Sequence, residues 1–319
     1  MDDDSLAIQR PRPPRERRWY WLILRFPLTR IILFGPLILI AAYLPFDVVL
    51  GLLGATRGAA TGPQMLLAVA AALPGAILFY CLLVHFIEWR RLEELSWGGA
   101  AQELGLGILA GGGLFAAVIG VIALAGGYRI TGTNPVAVLL LPLAIGIVSG
   151  VVEEIVFRGV VYRIVEESLG TWISVLISAA LFGFIHASNP NATLISSLSI
   201  AISAGPLLAG AYILTRRLWL CIGIHFAWNF TQGGIFGAAV SGNEMRGLLQ
   251  SELSGPELIS GGEFGPEASI VTVVLALALS ILMFVVAARR GHIMRPFWRQ
   301  RETGGREAPA GVRNPGRAG

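Results

Sequence analysis

Six polar side chains interrupt an otherwise apolar chain at spacings that can carry chemistry. They are Glu153, Glu154 and Arg158 within Gly150–Gly159, His186 at the end of Phe182-Gly-Phe-Ile-His186, and His225 with Asn229 in His225-Phe-Ala-Trp-Asn229. Successive helical residues are about 100° apart, so Glu153 and Glu154 cannot face the same neighbour. Arg158 follows Glu154 by four residues, which is ion-pair spacing, and Glu153 by five, which is not. Glu154 and Arg158 are therefore expected to neutralise each other, leaving Glu153 to face something else. Phe182 can buttress the His186 ring from one turn away, and Asn229 can lie beside His225. A carboxylate and an imidazole can hold and deprotonate a water, while a second imidazole and an amide donate to the oxyanion that follows, a set suited to amide hydrolysis. The same residues allow other readings. Glu153, His186 and His225 offer two imidazoles and a carboxylate with an open position for water on zinc. Ionisable groups in apolar helices also suit a proton-coupled transporter or a non-catalytic membrane scaffold, and charges at a helix end can simply sit paired in the headgroup zone.

The elements that must position these residues are read from composition. The chain has 319 residues, is 55% hydrophobic and 14% charged, and has a mean hydropathy of +0.69, which together indicate an all-α, polytopic integral membrane protein. Apolar segments near 30–53, 64–88, 103–126, 136–162, 171–188, 193–214, 218–240 and 268–288 give about eight transmembrane helices, with the chemistry shared by three of them. The formal charge of +4 does not indicate nucleic-acid binding, because the arginines lie at the ends of apolar segments, where they orient a membrane protein. Arg10 to Arg18, Arg90 and Arg91, Arg158 and Arg163, Arg216 and Arg217, and Arg289 to Arg301 mark alternate ends, against Arg57, Arg129 and Arg246 on the other side. The positive-inside rule then places both termini in the cytoplasm of a multi-pass protein of the cell membrane. Residues 1–29 form a basic cytoplasmic tail, 30–288 a single transmembrane domain with its core motifs at 150–230, and 289–319 a basic, disordered cytoplasmic tail. The segment 241–267 is expected to be a flexible acidic loop. Cys81 and Cys221 fall in apolar segments and read as packing residues.

Depth can be counted. From the turn at Glu167–Gly170, Glu153 and His186 come level, and His225 lies about 12 Å inward of Arg217 at about 1.5 Å per residue. The four groups are therefore expected to converge on a cavity reached from the cytoplasm. The polar Asn189-Pro190-Asn191 turn follows His186 closely and is expected to sit in a wet cavity.

Taken in order, Glu153-Glu154-x-x-x-Arg158, Phe182-x-x-x-His186 and His225-x-x-x-Asn229 resemble the three motifs of the CPBP family of intramembrane proteases, which includes the type II CAAX prenyl endopeptidases and bacterial bacteriocin-processing or immunity proteins. The resemblance covers about residues 95–235. It implies proteolysis at a membrane-buried site, with Glu153, His186, His225 and Asn229 at the family's essential positions and Glu154, Arg158 and Phe182 in support. It also implies a membrane-embedded or lipidated peptide as substrate. Glu153 and His186 would activate water and His225 and Asn229 would stabilise the oxyanion, either without a cofactor or as a zinc site. Asn229 is a poor zinc ligand and a good oxyanion donor, which favours the metal-independent form. Other protease classes lack their parts: the four aspartates, Asp2, Asp3, Asp4 and Asp47, offer no membrane pair, no His-Glu-x-x-His occurs, and no lysine is present for Ser-Lys chemistry.

Overall fold

The computed structural model describes residues 19–299. Within them a short helix, Trp19–Leu24, precedes eight longer helical segments: α1 (Pro27–Leu52), α2 (Gly62–Glu88), α3 (Ala100–Leu124), α4 (Val136–Leu169), α5 (Thr171–Ser188), α6 (Leu194–Thr215), α7 (219–235) and α8 (Ile270–Arg289). All but α7 are long and apolar enough to cross a membrane. The α-helical part of α7, Trp219–Asn229, and its π-helical continuation, Phe230–Ile235, together fall short of the ~20 residues that a bilayer requires. The protein is thus an all-α, polytopic membrane protein. The strands β1 (Tyr128–Thr133) and β2 (Leu249–Leu253) pair as one antiparallel ribbon, with a bulge between Ile130 and Gly132.

Local chemistry starts the helices where the chain must turn. Thr61 and Gln64 form a capping box ahead of α2, with Gln64 Oε1 2.9 Å from the Thr61 amide. Ser269 caps α8 by accepting from the Thr272 amide at 3.1 Å. Large apolar side chains such as Ile40 and Leu44 on α1, Leu176 on α5 and Leu282 on α8 point outward, as a lipid-facing belt requires.

α4 stands at the centre, packed against α1, α2, α5 and α7, and α7 also runs along α3. Small residues permit the second contact: a Cβ on Gly107 of α3 would lie 2.5 Å from the Leu220 carbonyl oxygen of α7. One end of the bundle is tied by charge. Glu88, nearly sealed from solvent, takes ion pairs from Arg30 at 2.8 Å, Arg90 at 2.6 Å and Arg163 at 2.7 Å, so α1, α2 and α4 end on one carboxylate. Arg216 pairs with Glu166 and Arg217 with Glu103 at the same end. At the opposite end lie Asp47 with Arg57, the ribbon, and the 236–268 segment.

Two expectations are corrected. The 241–267 segment is ordered, because β2 pairs with β1 and Asn134 Nδ2 donates to the Gly247 carbonyl at 2.8 Å. The stretch after Arg289 is docked where it is described: the Met294 amide donates to Thr171 Oγ1 at 2.9 Å, and the Thr171 amide to the Met294 carbonyl at 3.1 Å. At the other terminus, the helix Trp19–Leu24 and the start of α1 fall within the expected tail 1–29. The remaining parts of both expected tails, 1–18 and 300–319, lie outside the described residues.

The α3–α7 contact makes a direct prediction. Gly107→Leu should lower stability by about 1–3 kcal/mol through overpacking, read as an earlier midpoint in thermal unfolding of the detergent-solubilised protein, whereas Gly113→Leu, with open space at its Cβ position, should leave the midpoint nearly unchanged.

Candidate active site

Glu153 and Glu154 end the regular α-helical part of α4, and a π-helical stretch, Ile155–Tyr162, follows directly. The wider turn keeps Arg158 within reach of Glu154: Arg158 Nη1 donates to Glu154 Oε1 at 2.9 Å, with both side chains fully buried. The same Oε1 lies 2.8 Å from His225 Nδ1. One oxygen thus ties α4 to itself and to α7. The Arg158 guanidinium sits 4.5 Å above the Phe182 ring, and that ring in turn contacts His186 and His225 with centroids at 5.0 and 5.8 Å. Phe182 is therefore the spacer that sets both imidazoles.

His186 Nδ1 lies 2.7 Å from the Phe182 carbonyl. A carbonyl only accepts, so this contact places the proton on Nδ1 and leaves Nε2 as the ring's open site. Glu153 sits on the adjacent face of α4 with a quarter of its side chain exposed, and its Oε2 is 3.9 Å from His225 Nε2. That oxygen is buried and has no hydrogen-bond partner in the protein. A buried acceptor left open in this way is suited to a water or a substrate group.

Asn229 shares a helix face with His225, but its amide turns to α4: Nδ2 donates to Ser149 Oγ at 2.9 Å, and Ser149 Oγ donates to the Ile145 carbonyl at 2.9 Å. This leaves the second amide N–H of Asn229 for the cavity. Ser149 is thus a positioning residue, one helical turn before Glu153. Its place four residues ahead of that glutamate was the signal available in the sequence. Next to Asn229 on the cavity wall, Trp228 Nε1 donates to Glu267 Oε1 at 2.9 Å, and Glu267 Oε2 accepts from the amide and hydroxyl of Ser241 at 2.7 and 2.8 Å. Glu267 pins the loop to the helix that carries His225 and Asn229, and nothing in its local sequence announces this.

Glu153, Phe182, His186, His225 and Asn229 all line one cavity of about 550 Å³. Glu154 and Arg158 lie behind its wall, fully buried. The cavity does not open where the arginine count suggested. Its exposed lining residues are Arg57, Gly58, Asn243 and Glu244, on the α1–α2 connection and the loop after α7, at the end opposite the Glu88 network. Toward that network α4 is buried without interruption from Glu154 to Glu166. The physical reason is that α4 continues as one helix to Leu169, with its lower half packed as core instead of projecting as a solvated hairpin. Arg57 at the rim has its pKa raised by a hydrogen bond to the Asp47 carboxylate. The Asn189-Pro190-Asn191 turn is covered from the same side, with Asn189 Nδ2 donating to the Ser241 carbonyl at 3.0 Å.

A zinc ion held by Glu153, His186 and His225 would need three donors turned to one point. Among the described residues no group of three His, Cys, Asp or Glu side chains is gathered to hold a metal ion, while the Nδ1 contacts of the two histidines, to Phe182 and Glu154, leave each Nε2 turned to the cavity. As they stand, Glu153, His186 and His225 are not drawn to one point.

Comparisons with known proteins agree on a class. A family model described as "Type II CAAX prenyl endopeptidase Rce1-like" matches residues 134–231, a stretch that contains every motif residue named above. A curated relative, "Putative membrane peptidase YdiL" of Bacillus subtilis (strain 168), is 30% identical over 266 residues, covering 78% of this chain and 99% of that protein. No solved structure matches the chain.

The shared oxygen of Glu154 generates a stability prediction. Arg158→Ala should destabilise the protein by about 3–5 kcal/mol, because it leaves the buried Glu154 carboxylate with His225 alone, and the double change Glu154→Leu with Arg158→Met should recover only part of the loss, since His225 Nδ1 then has no partner. Unfolding titrations in detergent would measure both.

Proposed function

The chain belongs to the CPBP family of intramembrane proteases, and from that premise we propose that it hydrolyses a peptide bond of a membrane-associated or lipidated protein, using Glu153 and His186 on water and His225 and Asn229 on the oxyanion. The observation that carries the reading is the meeting of groups from α4, α5 and α7 on one cavity, with Glu153 Oε2 unpartnered 3.9 Å from His225 Nε2.

In this reading a water sits between the Glu153 carboxylate and the open Nε2 of His186. Glu153 takes one proton from it, and the oxygen attacks the scissile carbonyl carbon as the carbonyl π bond opens to an oxyanion. Asn229, fixed by Ser149, donates its remaining amide hydrogen to that oxyanion. His225 donates from Nε2 in its doubly protonated form, with its Nδ1–H held by Glu154 and Glu153 beside Nε2. The intermediate collapses as the C–N bond breaks, and the proton held by Glu153 passes to the leaving nitrogen. The products are a carboxylic acid and an amine, which become a carboxylate and an ammonium when the acid's remaining proton passes to the amine.

The cavity walls favour an extended, apolar peptide. Leu141, Ile145, Leu207 and Leu208 line it, and its volume falls in the range that takes several side chains or part of a lipid.

The test is cleavage of membrane or lipidated peptides by purified protein, with candidates drawn from comparative proteomics of membrane peptides in cells carrying the wild-type or Glu153→Ala enzyme. Glu153→Ala and His186→Ala should abolish cleavage while the protein stays folded. Asn229→Ala should lower kcat by about 10²–10³-fold with little change in KM, as loss of one oxyanion donor does. Activity should persist in strong chelators. Cleavage retained by both Glu153→Ala and His186→Ala would defeat the assignment, and loss of activity on chelation with recovery on zinc would defeat its metal-independent form.

A further inference from the structure

The two ends of the bundle differ in charge, and the cavity belongs to only one of them. The helix ends marked by Arg30, Arg90, Arg163, Arg216 and Arg217 are knitted together through Glu88, Glu94, Glu103 and Glu166, and Arg25 donates to the backbone carbonyls of Ile87 and Glu88. The opposite end carries Arg57 and Arg129, each paired with an acid, and Arg246, among Glu244, Glu252, Glu257 and Glu263. Such an asymmetry orients a multi-pass protein with its arginine-rich end in the cytoplasm. α1 shows that the two ends are separate surfaces, since it runs from Arg30 in the Glu88 network to Asp47 beside Arg57, roughly 25 Å at about 1.5 Å per residue.

None of the residues lining the cavity comes from the arginine-rich end, and its exposed lining residues all lie on the two loops at the other. Between Glu153 and the arginine network stand the buried Glu154–Arg158 pair, Tyr162, which is fully buried, and the Arg163–Glu88 contact. A polar peptide cannot cross that packed stretch without breaking buried ion pairs.

We propose that the site opens to the non-cytoplasmic side of the membrane and takes an extended peptide segment presented there, such as the outer juxtamembrane stretch of a membrane protein or an exported, membrane-bound peptide. This rests on the proteolytic reading of the same site but assigns the face from which substrate arrives. The rim is fastened to the site: Glu267 holds Ser241 against Trp228, so the rim and the helix bearing His225 and Asn229 form one unit. A substrate entering past Asn243 and Glu244 meets Ser149 and Asn229 before Glu153 at the floor.

The test uses the full chain in cell membranes, with Cys81 and Cys221 replaced by alanine and single cysteines introduced. Asn243→Cys marks the mouth, Glu93→Cys the arginine-rich face, and Ile145→Cys the cavity wall. In intact cells a membrane-impermeant maleimide should label Asn243→Cys and spare Glu93→Cys until the membrane is permeabilised. A small charged thiosulfonate should modify Ile145→Cys at least tenfold faster in intact cells than in inverted vesicles. Labelling of Asn243→Cys only after permeabilisation, faster reaction of Ile145→Cys in inverted vesicles, or no reaction of Ile145→Cys from either face would overturn the proposal. These readouts need no turnover, so they fail or succeed independently of Glu153→Ala.

Discussion

The constraint on which the site depends is a single buried carboxylate oxygen. Glu154 Oε1 accepts from Arg158 within its own helix and meets His225 Nδ1 across the α4–α7 interface, all out of reach of solvent. A lone charge there would be prohibitive, and even a pair needs good geometry to offset desolvation. The arrangement supplies it with a guanidinium stacked on Phe182 and a second contact from Arg158 Nη2 to the Gly205 carbonyl at 3.4 Å. The consequence reaches beyond stability. Because Glu154 holds the ring of His225 and Phe182 spaces it from His186, the neighbouring Glu153 is left as the carboxylate with an open oxygen facing the cavity.

Around that centre the bundle divides its polar work. One end spends its charges on itself, with Arg30, Arg90 and Arg163 converging on Glu88, and is therefore closed. The other end carries its charges on loops, with Asp47 on Arg57 and Glu252 on Arg129 joining no helix ends to one another, which leaves room for a mouth. The short α7 fits this division, since it stops below the loop end and hands over to the segment that Glu267 fastens against Trp228. The β1–β2 ribbon performs the same office for the rest of the loop.

Much of this was legible in the sequence, and the failures have identifiable causes. The four-residue spacing of Glu154 and Arg158, and of Phe182 and His186, translated directly into contacts because helical periodicity is local. The spacing of His225 and Asn229 placed both on the cavity, but their partners, Glu154 and Ser149, belong to another helix and could not be read from either motif alone. Glu267 and the ribbon depend on pairings more than a hundred residues apart, or on a loop whose composition resembles flexible sequence. The cavity's exposed lining lies away from the arginine-rich end, which the sequence did not suggest because Arg158, Arg163, Glu166 and Glu167 look like a solvated hairpin there. In the fold, Arg158, Arg163 and Glu166 are buried ion-pair partners inside a continuous 34-residue helix.

The most direct measurement of the central claim is an experimental structure of the Glu153→Gln protein with an uncleaved peptide in the cavity. The account predicts the scissile carbonyl oxygen about 3 Å from Asn229 Nδ2 and on the same side as His225 Nε2, with one ordered water between residue 153 and His186 Nε2. A peptide seated with that carbonyl turned away from both donors, or residue 153 and His186 sharing no water with it, would contradict the account.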